Sequence, residues 1–94
     1  MRIDKGKLRR IIAHFGKLQQ VIKLGEEVGE LFKAILNYEN GITRTNNEIT
    51  NEIADCYVLL KQMEMIYKVD KHELQQVLDM KVDRVFVKYN VGEQ

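Results

Sequence analysis

Residues 23–55 read KLGEEVGELFKAILNYENGITRTNNEITNEIAD, and the fold turns on how this stretch divides. Asn40-Gly41 is a helix stop, because glycine supplies the left-handed residue that closes a helix. The polar run that follows, Ile42 to Asn47, is then a loop, with a helix on either side of it. Each helix carries acids: Glu26, Glu27 and Glu30 before the loop, Glu52 and Asp55 after it. Glu27/Glu30 and Glu52/Asp55 are each three residues apart, so each pair projects from one helix face.

Upstream, the helix extends from Lys17 to about Glu39, with Leu18, Val21, Ile22, Val28, Phe32, Ile35 and Leu36 as its apolar face. Lys23, Glu26, Glu27 and Glu30, followed by Ala34, stand roughly 120 to 180° away. Charges opposite an apolar stripe are ordinarily just solvated. The downstream helix differs. Its start signal is Thr45 with Glu48, or Asn47 with Glu52. Its apolar residues from Ile49 to Ile66 go round much of the circumference, which predicts a central, buried helix. Glu52 and Asp55 share a side with Leu59 and Ile66. Carboxylates beside apolar surface cost several kcal/mol unless a cation meets them.

Towards the N-terminus, Asp4 is placed to cap a helix carrying Leu8, Ile11, Ile12 and Phe15, which Gly16 breaks or kinks; His14 reads as a surface residue and Phe15 as core. Towards the C-terminus, Asp70 and Glu73 form a capping box that opens a fourth helix. His72 in its first turn faces solvent. Leu74, Val77, Leu78, Val82, Val85 and Tyr89 are its core stripe, and Asn90–Gln94 is a frayed tail. Lys81, Arg84 and Lys88 fall within about 60° of one another along the stripe's edge. Such a row either complements the helix dipole or meets a polyphosphate. The expectation is an all-α, four-helix chain.

Composition agrees. Ninety-four residues without proline make one domain, residues 1–94, with a modest core that a partner chain would enlarge. Fifteen basic residues against fourteen acidic ones leave +1, which gives no reason to invoke nucleic acid or a membrane. The single cysteine, Cys56, lies in an apolar run and reads as a buried small hydrophobe in a reducing compartment. Met1–Arg10 is charged with no apolar region after it, so neither a signal peptide nor a span is expected, and a cytoplasmic location is.

Glu27, Glu30, Glu52 and Asp55 offer an oxygen-only set of ligands from two facing helices, which suits Mg²⁺ first and Mn²⁺ second. No His follows a Glu at the Glu-x-x-His spacing of helical di-iron sites, and no phosphate loop or Ser/His/Asp set is present. Metal-assisted work on a phosphate compound remains.

The run Glu26-Glu27-Val28-Gly29-Glu30, then 21 residues, then Glu52-Ile53-Ala54-Asp55 resembles the EExxE…ExxD signature of the MazG-like all-α nucleoside triphosphate pyrophosphohydrolases. His14-Phe15-Gly16 with Gln20, Lys23 one turn before the acids, and the closing basic helix extend the resemblance over nearly the whole chain. It implies Mg²⁺ on Glu27, Glu30, Glu52 and Asp55, with Glu26 positioning or deprotonating the attacking water. Lys23, Lys81 and Arg84, with Lys88 as a further candidate, match basic positions that contact phosphates or support the acids. The implied reaction is water attack between the α and β phosphates of a nucleoside triphosphate, in a homodimer or homotetramer. Asn51 and Asp83 depart from the pattern and leave the number of ions and the phosphate contacts open.

Two alternatives stand beside this. One is a non-catalytic helical interaction module, its acids solvated or paired with Lys81 and Arg84; the other is a narrower enzyme for dUTP, dCTP or phosphoribosyl-ATP. Tyr57, Tyr89 and Phe15 have rings able to stack on a base, but each stands at a position the pattern assigns to the core.

Overall fold

A computed structural model describes residues 1–93. Asp4 opens α1 (Lys5–Phe15): its Oδ1 accepts from the Lys7 backbone N–H at 3.1 Å, satisfying one of the amides a helix start leaves unpaired. Gly16, at φ +90°, separates α1 from α2 (Lys17–Glu39). Asn40-Gly41 closes α2 as expected. Gly41 takes φ +74°, and the Ile42 N–H returns to the Asn37 carbonyl at 2.8 Å.

α3 spans Asn47–Ile66, and α4 spans Lys71–Lys88. Asp70 caps α4 by accepting from the Glu73 N–H at 3.3 Å, the forward half of the capping box. The start of α3 departs from expectation. Asn46 precedes it with no side-chain cap, and Thr45 Oγ1 instead accepts from the Asn47 N–H at 3.5 Å within the loop. A 3-10 turn, η1 (Val91–Glu93), stands where a frayed tail is expected, and Gln94 lies outside the described residues. The described residues form four α-helices and no strand, and no helix is long and apolar enough to cross a membrane.

The centre is the α2–α3 pair, with α1 touching both. On α2 the inward residues are Gln20, Leu24, Glu27, Leu31 and Ala34, a 4-3-4-3 spacing that keeps one narrow face on the partner helix. On α3 they include Glu52, Cys56, Leu59 and Gln62. Gln62 is 1% exposed, and its Oε1 has no hydrogen-bond partner.

This corrects the sequence reading of α2. The seam lies about 120° round the helix from the wide apolar stripe, at 100° per residue. That stripe is exposed: Leu18, Ile22, Val28, Phe32, Ile35 and Leu36 all face outward. The seam escaped notice because two of its members are polar. α3 is likewise exposed on one side, at Ile53, Tyr57 and Leu60, rather than buried all round. α4 contributes no buried residue, so its expected core stripe is not core within this chain. Phe15 and Tyr89 are exposed too, Phe15 standing edge-on to His14 with ring centroids 4.6 Å apart. Amphipathic spacing identifies which residues favour burial, and it does not say which chain buries them.

Gly41 offers a test of the α2 terminus. A Cβ there would meet nothing within 4 Å, so Gly41→Ala introduces backbone strain alone. A loss of roughly 1–2 kcal/mol in denaturant unfolding is expected, with helical content unchanged.

Candidate metal centre

The seam brings one acid of α2 against two of α3. Glu27, Glu52 and Asp55 each offer a carboxylate oxygen within 4.8 Å of the others. Glu27 and Glu52 are half-buried and Asp55 is exposed, so the cluster opens to solvent on one side. The seam register explains this: Glu27 occupies an inward position of α2, and Glu52 sits one turn before buried Cys56 on α3.

Glu27 is held by a cation on its own helix. Lys23 Nζ lies 3.3 Å from Glu27 Oε1 and 3.7 Å from Glu26 Oε2. The hydrogen bond to Glu27 raises the Lys23 pKa, and the charges of Glu27 and Glu26 add to it. Glu52 has no such partner. Its Oε2 is buried without a hydrogen bond, because two ionised carboxylates can only accept.

The opposition shifts both acids. The Glu27 carboxylate facing it pushes the Glu52 pKa up, with desolvation and the charges of Asp55 and Glu30 adding to the shift. The same contact, helped by Lys23, pulls Glu27 below the usual range against the effect of burial. The two shifts are opposite in sign, as expected of neighbouring carboxylates that repel one another when both are charged. Cys56 lies beside them. Its thiol is pushed up by burial first and then by the three carboxylates, and it stays neutral.

The donor set fits a hard divalent cation: carboxylate oxygens only, and one buried oxygen that lacks a partner. Of the other sequence candidates, Glu30 is exposed and outside the three-acid cluster, though its charge reaches Glu52. Glu26 is exposed beside Glu27. Lys81, Arg84 and Lys88 form no ion pair with the acids among the described residues; Lys88 Nζ lies 5.4 Å from the Tyr89 ring centroid.

A basic concentration that the sequence reading did not single out lies elsewhere. Lys5, Arg9, Lys68 and Lys71 line a shallow cleft with the Lys61–Glu64 pair, whose atoms are 3.2 Å apart. Three chain segments supply these residues, so no linear motif announces them. No family model, curated protein or solved structure matches the chain.

The opposed shifts of Glu27 and Glu52 predict a peaked stability profile in the presence of a chelator. Glu27, with its lowered folded pKa, stabilises above its ordinary value and loses that stabilisation as pH falls. Glu52, with its raised folded pKa, stabilises below its ordinary value and loses that stabilisation as pH rises through the folded one. Subtracting the Glu52→Gln profile from the native one, by denaturant unfolding between pH 3 and 8, should leave a maximum near the ordinary glutamate range. A flat difference would refute the opposed shifts.

Proposed function

We propose that this chain is a Mg²⁺-dependent, MazG-like nucleoside triphosphate pyrophosphohydrolase, acting in the cytoplasm as a homodimer or homotetramer. The observation that carries the reading is the convergence of Glu27, Glu52 and Asp55 from two helices, with Glu52 Oε2 buried and unpartnered. A divalent cation would satisfy several of these carboxylate oxygens at once, which supports the metal reading.

Glu27, Glu52 and Asp55 would hold the ion, with Glu30 adding charge at the rim. When bound, Mg²⁺ supplies Lewis-acid polarisation of a phosphoryl group. Glu26, exposed, adjacent to Glu27 and 3.7 Å from Lys23 Nζ, would orient a water towards the α-phosphorus and accept its proton. The bond from the water oxygen to the α-phosphorus forms as the bond to the α–β bridging oxygen breaks. A nucleoside monophosphate and pyrophosphate result. Lys23, already oriented towards the acids, can turn its ammonium to phosphate oxygens, a role that Lys81, Arg84 and Lys88 share if the assembly brings them near.

The test is a panel of ribo- and deoxynucleoside triphosphates with Mg²⁺, scored for monophosphate plus pyrophosphate. Turnover is expected with at least one substrate, and Glu52→Gln and Asp55→Asn should each abolish it while preserving helicity. Orthophosphate with a diphosphate instead would move the attack to the γ-phosphate and refute the mechanism.

Mg²⁺ alone should also stabilise the protein, by about 2.7 kcal/mol at a hundredfold excess over its Kd, with the gain lost in Glu52→Gln. No stabilisation by Mg²⁺ together with no turnover would favour a non-catalytic interaction module, a reading that the exposed apolar faces also accommodate.

A further inference from the structure

Five cations meet where α1 begins, α3 ends and α4 begins. Lys5 and Arg9 of α1, Lys61 of α3, Lys68 in the turn and Lys71 at the head of α4 line one shallow cleft of about 190 Å³. Glu64 is the acid that lines it with them, and that carboxylate is engaged by Lys61 at 3.2 Å. The other four cations form no ion pair among the described residues. Their neighbours in sequence do not neutralise them: Asp4 accepts from the Lys7 N–H at 3.1 Å, and Asp70 from the Glu73 N–H at 3.3 Å. The chain as a whole carries +1, so this corner is strongly positive and the remainder is net negative.

Local helix energetics do not account for these charges. A helix start favours acids and disfavours cations, because its unpaired N–H groups carry partial positive charge. Lys5 is nevertheless the first residue of α1, whose first turn holds no acid, and Lys71 is the first residue of α4. Lys68 takes φ +53°, a left-handed conformation that glycine and asparagine adopt more readily than lysine. The turn is held by the Val69 N–H, which donates to the Glu64 carbonyl at 2.9 Å. Of the five, Lys61 and Lys68 stand beside the end of α3, where a cation complements the dipole. Lys5, Arg9 and Lys71 gain nothing of that kind.

We propose that this cleft binds a compact polyphosphate anion, free or as the phosphate end of a larger molecule, at a site separate from the carboxylate cluster. The cations converge on one small concavity from three segments and do not run along a helix face, so a short multivalent anion meets several of them at once. A long polyanion would gain nothing from its length. Arg9 supplies a planar fork able to hold two oxygens of one phosphate, and the lysines supply point charges on flexible stems. The cleft is too small to seat a partner helix, which is about 10 Å across.

The two sites are apart along α3. Its end at Ile66 stands roughly 16 Å along the axis from Asp55, at 1.5 Å per residue. The cleft brings its own positive charge and requires no metal ion, so the proposal holds whether or not the hydrolase reading does.

Titrating the native protein with inorganic pyrophosphate in EDTA, followed by amide NMR shifts, tests it. EDTA removes divalent ions that would bridge pyrophosphate to the acids, and roughly 0.15 M KCl shortens the reach of bulk charge to about 8 Å. A saturable response is expected at the amides of Arg9, Lys68 and Lys71. Arg9→Gln with Lys71→Gln, both at exposed positions, should weaken binding by roughly tenfold or more with the helical spectrum unchanged. Lys33→Gln with Arg44→Gln removes the same charge at exposed positions outside the cleft and should leave the affinity as it was. A nucleoside diphosphate that binds as pyrophosphate does supports a free anion as the ligand, and one that binds more tightly supports an esterified phosphate. The absence of any saturable shift at millimolar pyrophosphate overturns the proposal. An equal loss in the two double variants does so too, as do native-protein shifts confined to the surroundings of Glu27, Glu52 and Asp55.

Discussion

The opposition of Glu27 and Glu52 across the α2–α3 seam is the constraint around which the rest of the chain is arranged. Both stand at inward positions, where the 4-3 spacing of two packed helices would normally place leucine or alanine. Lys23 compensates Glu27 alone, and Glu52 is left with a buried oxygen and a neighbouring negative charge. A proton relieves the conflict cheaply, since a neutral acid donates to the charged one and loses little by desolvation. A divalent cation relieves it more fully, because it satisfies several carboxylate oxygens at once. A proton or a cation between the two acids therefore lowers the energy of the seam.

That choice has a consequence for stability. The α2–α3 contact surrenders two of its inward positions to acids, and Gln20 and Gln62 take two more, so little purely apolar surface is left in the single chain. Leu8, Ala34, Cys56 and Leu59 are the buried apolar residues. Small domains are marginal even with a full core. The apolar residues withheld from the seam are present on the outer faces of α2, α3 and α4, where they add to cohesion only when something covers them.

Local features were legible in the sequence because they depend on a few consecutive residues. Asp4, Gly16, Asn40-Gly41 and Asp70 each mark a helix boundary through chemistry that one turn can express. The start of α3 was not, since Asn46 precedes it without a side-chain hydrogen bond, while Thr45 and Asn47 offered equally good signals. Burial was misread for a different reason. The widest apolar stripe of α2 is what hydrophobic periodicity detects, whereas the seam follows from the helix that happens to face it. The pairing of Glu27 with Glu52 was legible only as two spacings on two helices, and that Glu27 rather than Glu30 comes closest to Glu52 and Asp55 depends on how the two helices pack.

If a cation is held at the seam and another surface packs beside the cluster, the two events are linked. Water reaches the cluster from the Asp55 side, and its dielectric moderates the repulsion among the three acids. Packing another surface nearby removes part of that water. The repulsion then grows, and so does the attraction to any cation held between the acids. A covered seam therefore tolerates emptiness less and retains an ion more tightly than an exposed one. By reciprocity, an ion that favours the covered state must itself strengthen the association that covers it.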